Sequence, residues 1–156
     1  MSHILKKFMK IDIDPNNVRN GLILTGVNQN DVILNAELQM YYESVHVSLK
    51  INRNGLKQVG FPLPIYGRVE GIGLNIVDGK LQIIADHADA DLIQGLEDLL
   101  GSLNTLGSNY EQIIQVLENQ NMKVVLEPYS MESGTIKLRL VQGEGAAAEN
   151  QSTGLW

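Results

Sequence analysis

The densest group of metal-ligating and proton-carrying side chains in the chain is Asp86-His87-Ala88-Asp89-Ala90-Asp91. Carboxylates and an imidazole at alternating positions are a donor set that can converge on a divalent cation. Built from Asp86, His87, Asp89 and Asp91, such a site would make the protein a metal-dependent or small-molecule-processing enzyme. The competing reading is structural. Asp89 or Asp91 would cap the leucine-rich helix that follows, where free amides and the helix dipole favour a carboxylate. A closed zinc site takes about four ligands, and the chain holds three histidines and no cysteine. The cap is therefore the preferred reading, and no catalytic residue, metal or cofactor is expected.

His46 and Ser48 share the polar side of one strand, which raises acyl chemistry. Residues two apart on a strand point the same way without making the hydrogen bond that activates a nucleophile, and no glycine-flanked strand-to-helix elbow is present. Gly67, Gly71 and Gly73 lead into a strand, whereas a phosphate loop must end on the free amides of a helix. Two segments suit partner binding instead. Phe61, Leu63, Ile65 and Tyr66 alternate with Pro62 and Pro64 in an extended apolar run that can present side chains to another protein. Leu155 and Trp156 follow a polar stretch, and one buried aromatic can supply much of a small interface's energy.

The elements that must carry these residues are legible from periodicity. A first strand is expected from about Ile4 to Ile13, with Lys7 out of step with its alternation. Asp14-Pro15 reads as cap and first helical position, opening a helix that closes near Gly26; within it Gly21 costs about 1 kcal/mol against alanine. Strands are expected at Asp31–Leu38 and, most clearly, at Val45–Ile51. Asn54-Gly55 is a tight-turn pair predicting a hairpin into Leu56–Phe61, and Asp78-Gly79 predicts a second between Gly73–Val77 and Lys80–Ala85. The period then changes to 3.6: Leu92, Leu96, Leu99, Leu100, Leu103 and Leu106 form one stripe, which Gly107 ends. Ser108 with Glu111 reads as a capping box for a second, antiparallel helix whose inner face is Ile113, Ile114 and Leu117. Met122–Tyr129 and Ile136–Val141 form the last hairpin.

These elements predict an α+β domain over residues 1–142: a mainly antiparallel sheet of hairpins with two or three helices on one face. Residues 143–156 are too polar and glycine-rich to offset their ordering entropy and are expected as a flexible tail. At 156 residues and 44% hydrophobic content, one core is the default. A net charge of -6 repels a phosphate backbone, so nucleic acid is not an expected partner. The absence of cysteine fits a reducing cytoplasm. The opening Met1-Ser2-His3-Ile4-Leu5-Lys6-Lys7 has no long apolar run, and no membrane association is expected.

Several stretches together resemble the "hypothetical chloroplast open reading frame thirty-five" family. They are Met1-Ser2-His3, Val45–Ile51, Ile72-Gly73-Leu74 through Asp78-Gly79 to Ile84-Ala85-Asp86, and Glu111 through Asn121-Met122-Lys123-Val124-Val125 to Gly134-Thr135-Ile136-Lys137-Leu138. Where that family tends to show aromatics after the central hairpin, and Tyr and His at the start of the second helix, this chain has Asp86-His87-Ala88-Asp89 and Asn109-Tyr110-Glu111. The family has no assigned reaction, and its members often lie near genes for AAA-type ATPases. The resemblance implies a non-catalytic adaptor with a protein partner, an AAA-type ATPase among the candidates; self-association is compatible with it. The rivals are the enzyme built on His87 and a sensor that binds a metabolite between sheet and helix pair.

Overall fold

The alternating stretch around Val45 forms β3 (Glu43–Asn52), which pairs antiparallel with β2 (Val32–Met40) on one side and β4 (Gly71–Val77) on the other. This computed structural model describes residues 4–9, 12–40, 43–61, 70–86, 93–130, 132, 135–142 and 153–154. Asp78 and Gly79 take φ values of 51° and 79°, the left-handed pair that a two-residue hairpin needs. They turn β4 into β5 (Lys80–Asp86), and β1 (Ile4–Phe8) adds on β5 to complete a five-stranded antiparallel sheet in the order β1-β5-β4-β3-β2.

Helix α1 (Pro15–Leu24) starts as its sequence dictates: the Asp14 side chain accepts the Asn16 amide, Pro15 opens the first turn, and Gly26 follows at φ 85°. Helix α3 (Ile93–Ser108) lays Leu96, Leu99, Leu100, Leu103 and Leu106 into one core with Leu49, Ile51, Leu74 and Ile83 of the sheet and Val18 and Leu22 of α1. The architecture is α+β.

Five expectations are corrected by packing. Asn54-Gly55 does not turn a hairpin; it lies inside the short helix α2 (Arg53–Gln58). Leu56 and Val59, three apart, are both buried in the main core, and that helical spacing outweighs the turn propensity of the pair. Strand β1 stops at Phe8, although Met9 and Ile13 are buried. Gly107 does not end α3 but lies within it. A Cβ there would stand 2.5 Å from the Asn17 carbonyl carbon and closer still to its oxygen, so glycine is what lets α1 and α3 touch backbone to backbone. The partner of α3 is therefore α1, not the following α4 (Tyr110–Asn119). Finally, the Ser108–Glu111 capping box does not form: Asn109 is the cap residue without a side-chain cap bond, and Ser108 Oγ donates to Thr105 O at 2.7 Å.

Strands β6 (Met122–Ser130) and β7 (Thr135–Gln142) make the expected last hairpin, docked on α3 through Ser102, whose Oγ donates to Ile136 O (3.0 Å) and accepts from Ile136 N (3.3 Å). The stretch 143–156 was expected to be free, yet Thr153–Gly154 pairs with β7 as β8. The remainder of that stretch lies outside the described residues.

Candidate functional site

Lys50, Gly73 and Ile84 share one row on the sheet face turned away from the helices. A regular β3 would keep Val47 beside Leu49 on the helix side. Instead, a Cβ on Gly73 would meet Val47 Cβ at 3.1 Å and Leu38 Cδ2 at 3.2 Å. The distal half of the β2–β3 hairpin thus folds over the outer face, burying Leu38, Met40, Val47 and Ile84 in a second small core. The bend sits where the β2–β3 pairing skips Asn35 and Ser48, with Asn35 at φ 51°, a conformation asparagine tolerates better than most residues. Glu70 latches the fold-over. Its carboxylate accepts the Gln39 amide at 3.0 Å and pairs with the Lys50 ammonium, which also donates to Glu37 O at 3.2 Å. Burial opposes ionisation of Glu70, but the Gln39 amide and then Lys50 outweigh it and hold the carboxyl below its usual range.

On the exposed surface of this hairpin Glu37 stands between two partners. Ser44 Oγ donates to Glu37 Oε2 at 2.9 Å, and His46 Nδ1 lies 3.5 Å from Oε1. The carboxylate stands between hydroxyl and imidazole, so His46 reaches Ser44 only through Glu37. Ser48 donates to Asn75 Oδ1 at 3.0 Å.

A pocket of about 430 Å³ opens between the β4–β5 turn and the start of α1, lined by Asp12, Ile13, Asp14, Asn17, Ile76, Gly79, Leu81 and Asn104. Asn104 Oδ1 of α3 accepts the Asp14 amide at 3.0 Å, so two of the polar walls also hold the helices in register. Lys7 of β1 turns toward α3 and meets the buried Glu97 Oε1 at 2.9 Å. The approach is off hydrogen-bond direction, which makes the pairing coulombic; it explains why a lysine breaks the alternation of β1.

The remaining surface feature is apolar. Along α4, Ile113 at the centre of the arc is buried, while Tyr110, Ile114 and Leu117 on one shoulder and Val116 on the other stay half-buried, as do Met122 and Val124 of the adjoining β6. Periodicity identified the inner face of this helix; the incomplete cover depends on what packs over it, which no local pattern encodes.

Of the residues singled out in sequence, Phe61 is corrected. It was expected to face a partner, but it is 3% exposed and part of the main core. Leu63, Ile65, Tyr66, His87, Asp89, Asp91, Leu155 and Trp156 lie outside the described residues, and the backbone of Asp86 pairs with Ile4 at the end of β5. Among the described residues no three His, Asp or Glu side chains converge as metal ligands do, and no helix is long and apolar enough to cross a membrane. The chain matches no family model, and no curated protein or solved structure is significantly similar to it.

Proposed function

We propose that the protein is a non-catalytic interaction subunit that binds its partner through the half-covered apolar side chains of α4 and β6. The observation that carries this reading is that six apolar side chains on adjoining elements, Tyr110, Ile114, Val116, Leu117, Met122 and Val124, remain only half-buried. Four of them, Tyr110, Ile114, Leu117 and Val124, pack against the main core with part of their surface left uncovered, and apolar surface of this kind is what interfaces desolvate. The family resemblance of the sequence adds the class of partner, an AAA-type ATPase, in a cytoplasmic setting. Capture of the tagged chain from its own host should retain such an ATPase. Val116→Glu should abolish that capture while leaving the urea midpoint of the chain unchanged. An empty capture, or one indifferent to Val116→Glu, would reject the proposal.

The pocket beside the β4–β5 turn favours one second reading, a sensor for a small ligand. Its size falls in the range of small-molecule sites, and Asp12 and Asp14 beside Ile13, Ile76 and Leu81 suit an organic cation. A diamine such as putrescine should raise the thermal midpoint of the chain, and Asp12→Asn should remove the gain. No shift at millimolar ligand would dismiss this reading.

A further inference from the structure

The outer edge of β7 is engaged at two places. Near its start, the main chain of Ile136 is taken by Ser102 of α3. Further along, Leu140 and Arg139 pair antiparallel with Thr153 and Gly154. Among the described residues this strand has two members and two pairs, below the roughly three to ten residues of an ordinary strand. The cis strand is therefore shallowly held. Opposite Arg139 it places Gly154, which contributes no side chain. The half-exposed Arg139 side chain forms a loose ion pair with Glu127, Nε to Oε1 at 3.9 Å, which is too long for a hydrogen bond, and among the described residues its Nε has no hydrogen-bond acceptor.

We propose that the β7 edge is a strand-acceptor site, occupied in cis by Thr153–Gly154 and taken over by an extended segment of a partner protein that carries a carboxylate opposite Arg139. Main-chain ladder bonds would supply affinity, as in other sheet-edge recognition, and the carboxylate would supply the acceptor that Arg139 Nε lacks, with charge-assisted strength. The proposal rests on the interaction reading in so far as the displacing strand belongs to a partner.

The test uses the full chain carrying Thr153→Pro, which removes a ladder donor from the cis strand, and a fluorescein-labelled peptide of residues 143–156 bearing Gly154→Glu. Anisotropy should show saturable binding, at least about ten-fold weaker to the unmodified chain because the tethered strand competes at high effective concentration. Adding Arg139→Gln to the Thr153→Pro chain should weaken binding by about ten-fold or more, and raising the salt should weaken it further. No binding to the Thr153→Pro chain overturns the acceptor edge; equal binding of the unsubstituted peptide, or indifference to Arg139→Gln, overturns the carboxylate. Independently of that variant, Gly154→Glu in the full chain should slow exchange of the β7 amides that face β8, and unchanged exchange counts against the proposal. Peptide binding together with an empty affinity capture would sink the partner reading and leave the acceptor edge standing.

Discussion

Replacing Gly107 by alanine sets two effects of opposite sign against each other. In an uncrowded helix the substitution stabilises by about 1 kcal/mol, since alanine has less backbone entropy to lose. Here the new Cβ would stand 2.5 Å from the Asn17 carbonyl carbon and 2.8 Å from its Cα, with the oxygen closer than either, whereas real Cβ contacts essentially never fall under 3.0 Å. All three atoms are main chain, so no rotamer change relieves the clash. Helix α1 must retreat from α3 by on the order of 1 Å, a gap that forfeits a quarter to a half of the dispersion well. Val18, Leu22, Leu103 and Leu106, all buried in the shared core, each contribute about 1.5–3 kcal/mol through burial. Losing a quarter to a half of that across the interface would cost about 1.5–6 kcal/mol, more than the propensity gain, and the net destabilisation expected is about 1–3 kcal/mol, as is typical of overpacked cores. In urea, where the slope for such a chain is about 2 kcal/mol per molar, the midpoint should fall by roughly 0.5–1.5 M. A midpoint that rises, or does not move, would show that α1 does not approach Gly107 and would remove the reason for a glycine inside α3.

Gly21→Ala should also destabilise, because its Cβ would press on the Leu103 main chain, with the carbonyl carbon at 3.0 Å; a stabilised variant would contradict the crossing. Leu99→Ala, at a fully buried site, should cost about 2–5 kcal/mol by urea titration, and an unchanged midpoint would mean that the stripe faces outward. Glu70 has its pKa lowered in the fold, so its contribution is present above the ordinary carboxylate range and is lost as pH falls through the lower folded value. Glu70→Gln should therefore weaken the chain at pH 7 and match the parent in strong acid, where the parent's Glu70 is protonated in the folded and unfolded states alike; a deficit that persists there would assign the effect to shape. Lys7→Met should destabilise by leaving Glu97 buried without its counter-charge, whereas Lys7→Met with Glu97→Leu should recover most of the loss; a double variant as weak as the single would exclude charge as the cause.

What the sequence by itself determined are the features encoded within one turn or one strand. Asp14-Pro15 starts α1, Asp78-Gly79 turns β4 into β5, the alternation of Val45–Ile51 makes a strand, and the leucine stripe makes α3. Each depends on backbone angles and on a period of 2 or 3.6, which neighbours in sequence impose. The family and the partner suggested by the sequence remain proposals. What only the tertiary structure decided depends on residues far apart in the chain. Gly107 reads locally as a stop, yet the approach of Asn17 makes it a contact. Lys7 looks like an error in alternation until Glu97 lies opposite. Asn54-Gly55 carries the chemistry of a tight turn, but the burial of Leu56 and Val59 winds it into α2. The fold-over of the β2–β3 hairpin joins Leu38 and Val47 to Ile84 across the sheet, and the pocket brings Asp12 and Asp14 to Asn104. Periodicity says which face of an element is apolar; it carries no information on which element will cover that face, because that choice is made by volume and close approach among side chains that meet only once the chain has folded.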